Sequence, residues 1–153
     1  MPTYDEARLQ AKIVRGEVAK MISRFYQNVL KKEIVHIDAC NPSNYSDFAT
    51  TDEETRGYIY DACSVGLMGW KNDKKAILDA FRPLDFITKA EFSAILSRML
   101  YDTVSDDASE EWYAPHFAAL KEHGILDDVS NPNENEIRGN VLAMLLKASN
   151  LIK

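Results

Sequence analysis

No stretch of this sequence approaches the ~20 consecutive apolar residues that span a bilayer, so membrane insertion is not expected. The first residues, Met1-Pro2-Thr3-Tyr4-Asp5-Glu6, lack the charged-then-apolar order of a signal peptide. The chain is therefore expected either to be intracellular or to be a mature segment whose export signal lies outside it. Excess positive charge is also missing. A net charge of −6 gives no electrostatic reason to expect DNA, RNA or an anionic membrane as the main partner.

Cysteine is scarce. Cys40 and Cys63 form neither a C-x-x-C redox motif nor a four-ligand zinc pattern. They read as two buried thiols or as a disulfide. A disulfide would close a loop of roughly 24 residues and contribute about 3 kcal/mol in the chain-entropy model. It would require an oxidising compartment, so this pair bears on localisation.

Catalytic signatures are lacking as well. His36, His116 and His123 form no ligand set, and there is no HExxH. Neither Ser23, Ser97 nor any other serine sits in a nucleophile elbow. The series Asn131, Asn133, Asn135 starts like a calcium loop, but Glu136 takes the required glycine position and Leu142 the terminal acid. Asn44-Tyr45-Ser46 matches a glycosylation sequon, a weak signal. No enzyme activity, cofactor or metal is expected.

What is present is a repeat. The segments Ile13-Val-Arg-Gly-Glu-Val-Ala-Lys-Met-Ile22, Ile87-Thr-Lys-Ala-Glu-Phe-Ser-Ala-Ile-Leu96 and Glu136-Ile-Arg-Gly-Asn-Val-Leu-Ala-Met-Leu145 align on Arg15, Lys89 and Arg138. A small residue follows each cation: Gly16, Ala90 and Gly139. Apolar residues then recur at i, i+3, i+4 and i+7. They are Val18, Met21, Ile22 and Phe25; Phe92, Ile95, Leu96 and Met99; and Val141, Met144, Leu145 and Ala148. This is the stripe of an amphipathic helix in three copies. Thr88 and Glu91 have the spacing of a capping box, which makes Lys89 the first helical residue. A cation there opposes the helix dipole, whereas Arg24, Arg98 and Lys147, nine residues on, suit it.

A second unit precedes two of these helices. Ile59 to Met68 matches Phe117 to Leu126, and Gly66 and Gly124 fall where a left-handed cap would end a helix. Trp70 to Phe86, with Arg82-Pro83, and Asp127 to Asn135, with Asn131-Pro132, read as loops. Asn41 to Thr55 and Thr103 to Glu111 read as polar linkers, holding the runs Asp52-Glu53-Glu54 and Asp106-Asp107 with Glu110-Glu111. Ahead of Ile13, Tyr4 to Leu9 is too short for a clear leading helix. The expected segments are an abbreviated first repeat with linker at 1–46, a second at 47–105 and a third at 106–153.

Phe81-Arg-Pro-Leu-Asp-Phe-Ile-Thr-Lys-Ala-Glu-Phe-Ser-Ala-Ile-Leu-Ser-Arg-Met-Leu100 resembles the second half of an S-layer homology repeat, and Ile59 to Met68 and Trp112 to Ile125 resemble its leading half. The resemblance covers roughly residues 7–30, 47–101 and 112–150. It implies an all-α fold of three tandem helix-loop-helix repeats around a pseudo-threefold central helix bundle. It also implies a surface protein held non-covalently to the cell envelope by a wall polysaccharide, often one ending in an acidic, pyruvylated sugar. By position, the ligand-contacting role falls on Arg15, Lys89 and Arg138, with Glu17 and Glu91 beside them. Trp70 and Trp112 are candidate sugar-stacking walls. Val14 and Ile137 replace the family's capping threonine and Asn140 its third glutamate, with Asn135 a substitute cap. The competing expectations keep the fold for protein–protein contact or self-assembly with other surface proteins, or make it an intracellular regulatory domain.

Overall fold

Each of the three apolar stripes is a helix, and each helix begins at its cation. A computed structural model describes residues 8–71, 75–101, 104, 106 and 111–152. The helices are α1 (Arg15–Asn28), α2 (Glu53–Ser64), α3 (Lys89–Leu100), α4 (Ala114–Glu122) and α5 (Arg138–Leu151). Among the described residues, extended pairing is limited to isolated bridges, so the fold is all-α. Tyr4 to Ala7, Thr103, Asp107 and Glu110 of the sequence reading lie outside the described residues.

The chain divides into two compact units, Val14–Asp85 and Met1–Ile13 with Phe86–Lys153. They group residues by contact, whereas segments 1–46, 47–105 and 106–153 follow sequence register. The two divisions differ because each helix start bonds to main chain from another segment.

In the Val14–Asp85 unit α1 packs on α2. Val18, Ile22 and Phe25 are buried as the stripe requires, while Met21 is only half-buried. Helix α2 starts earlier than the linker reading allows. Asp52 accepts the Thr55 backbone N–H at 3.0 Å and the Thr55 hydroxyl at 2.6 Å, forming the N-cap. Glu53 and Glu54 then occupy the first turn, where the dipole favours acids. The rest of that linker holds two short 3₁₀ turns, Pro42–Asn44 and Phe48–Thr50, and a third, Asp38–Cys40, precedes it. Gly66, at φ 78°, ends α2. Its N–H reaches Cys63 O, and the Leu67 N–H reaches Ala62 O, which is the double bond pattern of a Schellman cap.

In the other unit, Thr88 and Glu91 form both bonds of the capping box. Phe92, Ile95, Leu96 and Met99 of α3 are buried, and α4 packs against this helix. Gly124, at φ 74°, repeats the Schellman pattern through Lys121 O and Leu120 O. Val141, Met144, Leu145 and Ala148 are the buried stripe of α5. Ile137, the N-cap of α5, makes no side-chain capping bond, and Asn135 is not the substitute cap; its backbone is in an isolated bridge with Thr88.

Candidate ligand-binding site

The three residues two places before each cation, Ile13, Ile87 and Glu136, are buried and joined in a closed backbone ring. Ile13 N–H donates to Glu136 O (3.2 Å), Glu136 N–H to Ile87 O (2.9 Å) and Ile87 N–H to Ile13 O (3.1 Å). Every aligned helix start is then capped by main-chain carbonyls from elsewhere in the sequence. Arg15 N–H donates to Asp85 O, Lys89 N–H to Glu134 O and Arg138 N–H to Ala11 O, each at 2.9 Å. One residue on, Gly16 N–H donates to Pro83 O and Ala90 N–H to Pro132 O. The accepting segments share a turn, closed by Asp85 N–H to Arg82 O, Glu134 N–H to Asn131 O and Ala11 N–H to Arg8 O.

This geometry explains the small residue after each cation. A Cβ on Gly16 would stand 3.1 Å from Pro83 O, and one on Gly139 3.0 Å from Leu9 O. Free N–H groups at a helix start would by themselves favour an anion. The N–H groups of Arg15, Gly16, Lys89, Ala90 and Arg138 are already spent on carbonyls, so an anion here must rely on side chains.

Arg15 is buried, at 6% exposure. Its Nε donates to Phe81 O at 3.0 Å, and its guanidinium lies over the Phe81 ring at 5.4 Å. Tyr45 meets that ring edge-on at 5.5 Å and donates its hydroxyl to Gly69 O (3.0 Å) and Cys63 Sγ (3.3 Å). Burial pushes the Tyr45 phenol up to about 12, opposed by the nearby Arg15 charge. Cys40 and Cys63, both buried, are joined by a disulfide with Cα atoms 5.5 Å apart.

Lys89 reaches Ser130 O at 2.7 Å and the Asp128 carboxylate at 3.6 Å. Asp128 is held below the usual carboxylate value by hydrogen bonds from the Ser130 hydroxyl and N–H, with a smaller contribution from Lys89. Arg138 is half-buried, as are Glu17 and Glu91. At this third start Glu136 supplies what Glu91 supplies at the second: its carboxylate accepts the N-cap N–H of Ile137 at 3.0 Å, and Asn140 holds it from the N3 position.

The tryptophans are fastened to their own neighbours. Trp70 Nε1 donates to Cys63 O at 2.9 Å, and Trp112 stands edge-on to Tyr113 and His116. The ring at Arg15 is Phe81, which the sequence reading passed over. Also passed over is a polar chain in which His116 Nδ1 meets Ser97 Oγ at 3.0 Å and Nε2 meets Asp106 at 2.7 Å, with Arg98 paired to the same carboxylate. These are the residue types of a nucleophilic triad, but Ser97 and His116 are fully buried, so the chain fastens α4 to α3. The Asn44 amide of the sequon is engaged with Asp38 O and Ala39 O.

Among the described residues no cluster of His, Cys, Asp and Glu could hold a metal, and no helix is long and apolar enough to cross a membrane. In comparisons with known proteins, no family model and no curated protein matches the chain.

Proposed function

We propose that this protein is a tandem of three S-layer-homology-like repeats, non-enzymatic and exported to the cell surface. There it anchors a polypeptide to the envelope by binding an acidic polysaccharide. The observation that carries this reading is the recurrence of one device. Arg15, Lys89 and Arg138 each open a helix whose N–H is closed by a loop carbonyl, after residues joined in the Ile13–Ile87–Glu136 ring. A cation opposing the helix dipole in all three copies is not what helix stability selects. The disulfide supports an oxidising compartment.

With the N–H groups of Arg15, Lys89 and Arg138 occupied, side chains do the capturing. A sugar carboxylate would meet the Arg15 guanidinium, whose planar donor set suits a two-point contact. At Lys89 it would take the place now filled by Asp128. Weak sites would gain strength together along a polymer.

The test is retention of the oxidised protein on purified envelope polysaccharide, compared with Arg15→Ala plus Lys89→Ala, with circular dichroism to verify folding. Retention lost in a folded double variant supports the reading; unchanged retention removes both residues from it. A second reading, a protein-contact or self-assembly module without a glycan, is favoured by Leu142 and Leu146. They lie one turn apart on α5 at 41% and 64% exposure.

A further inference from the structure

The segment 38–48 touches both the disulfide and the support on which Arg15 rests. Cys40 closes the Asp38–Cys40 turn and is bonded to Cys63 of α2. The next turn, Pro42–Asn44, is tied back to it by the Asn44 side-chain amide, which donates to Asp38 O and Ala39 O. Asn41 caps that second turn by accepting from Ser43 N–H. Fixing Cys40 therefore fixes Tyr45, which ends the second turn with its N–H on Pro42 O.

Tyr45 is 3% exposed, and both acceptors of its hydroxyl, Cys63 Sγ and Gly69 O, flank the disulfide end of α2. Gly69 is at φ 84°, and a Cβ there would fall on the Tyr45 hydroxyl, so the backbone is shaped around this side chain. The edge of the tyrosine ring sets Phe81. Two residues past Tyr45, the Asp47 carboxylate accepts the N–H groups of Phe81 (3.2 Å) and Arg82 (2.8 Å). Phe81 thus receives its ring position and its backbone position from the stretch that the disulfide anchors. Arg15 in turn has its Nε on the Phe81 carbonyl and its guanidinium over the Phe81 ring.

We propose that the Cys40–Cys63 disulfide is a redox latch on the Arg15 site, with Tyr45 as the positioning residue that transmits its state through Phe81. The latch rests on the reading of Arg15 as a ligand-contacting residue. A dithiol reductant supplies two electrons and two protons. The S–S bond breaks, thiols form on Cys40 and Cys63, and the reductant closes its own disulfide. Two thiol sulfurs cannot remain at bonding distance, so Cys63 Sγ moves under the Tyr45 hydroxyl, and Phe81 and Arg15 lose their fixed seat. The protein is then competent at this site only after oxidation, as suits a module that works outside the cell.

The experiment uses the full ¹⁵N-labelled chain and follows hydrogen exchange of the Arg15 Nε–H, identified by its loss in Arg15→Lys. Reduction with dithiothreitol is expected to accelerate that exchange by about tenfold or more while helical circular dichroism persists. Tyr45→Phe should do the same with the disulfide intact. Should reduction unfold the chain, Tyr45→Phe alone decides. Unchanged exchange in the folded reduced protein or in the Tyr45→Phe variant overturns the latch. Retention on envelope polysaccharide is measured separately. Retention indifferent to Arg15→Ala overturns the functional reading, and leaves the exchange result to stand or fall by itself.

Discussion

Asn140 donates its side-chain amide to the buried carboxylate of Glu136 at 2.8 Å, and the same oxygen accepts the Ile137 N–H. At the second helix start the carboxylate comes from Glu91, three residues after the N-cap. At the third it comes from one residue before the N-cap and is steadied by an amide where the glutamate would be. The loss of one motif residue is thus compensated by another that lies outside the motif. Asn140→Ala should cost about 1–2 kcal/mol, because it strips a charged, buried acceptor of a donor. Asn140→Glu should cost more, by setting a second carboxylate against the first. Urea unfolding at neutral pH measures both.

Two glycines of positive φ should respond differently to the same substitution. At Gly66 (φ 78°) an added Cβ meets nothing within 4 Å. Gly66→Ala is therefore expected to cost only the left-handed backbone term, about 1 kcal/mol. At Gly69 (φ 84°) the Cβ would fall on Tyr45 Oη and within 3.1 Å of Phe81. Gly69→Ala must displace a buried tyrosine and should cost at least about 3 kcal/mol. Thermal unfolding of the two variants separates them.

Helix registers, the capping box at Thr88 and both glycine stops were legible because they depend on side-chain type at fixed spacing. The ring through Ile13, Ile87 and Glu136 was not, since it is made of backbone groups that every residue carries. The same holds for the carbonyls of Pro83, Asp85, Pro132, Glu134 and Ala11. Sequence marked only their consequence, the small residue at positions 16, 90 and 139. Asp52-Glu53-Glu54 read as solvated charge because Thr55, the partner that makes Asp52 a cap, looked like linker. Phe81 was missed because its contact with Arg15 spans 66 residues and follows no period.

Tyr45 should make stability fall at alkaline pH. Its phenol value is raised from 10.0 to about 12. A raised value means that the folded state holds the proton more tightly than the unfolded one. This contribution is complete below pH 10 and is lost as pH rises from there toward 12. Asp52 and Asp128, both lowered, act in the opposite limb: their contribution is present at neutral pH and fades as acid protonates them. Tyrosinate absorbance during alkaline titration should show a late step from Tyr45, beside Tyr101, whose phenol burial also raises. That late step should vanish in Tyr45→Phe.

Arg82 holds φ at 60° ahead of a proline, and Asn131 holds 54° at the aligned place. Asparagine tolerates the left-handed region better than arginine, whose long side chain gains nothing from it. Arg82 offsets this with one weak, exposed contact to Asp85 at 3.9 Å. Arg82→Asn should therefore stabilise the chain, by about 0.5 kcal/mol, without moving the loop carbonyls that cap α1. A lowered urea midpoint would show that the arginine does more than the backbone argument allows.

Asp128 gives the sharpest test of the Lys89 site. Its carboxylate is 72% exposed, while the lysine side chain it faces is 11% exposed, so the acid is the partner that can leave. With its carboxylate in solvent and 3.6 Å from the ammonium, Asp128 holds weakly, and an incoming sugar carboxylate competes with it for one ammonium. Removing the competitor should favour the ligand. Asp128→Asn is expected to retain the protein on acidic envelope polysaccharide to higher salt than the parent chain. Asp128→Asn combined with Lys89→Ala should cancel the gain. If Asp128→Asn leaves the salt profile where it was, Lys89 serves only to fasten the 127–135 loop, and the sugar is held elsewhere.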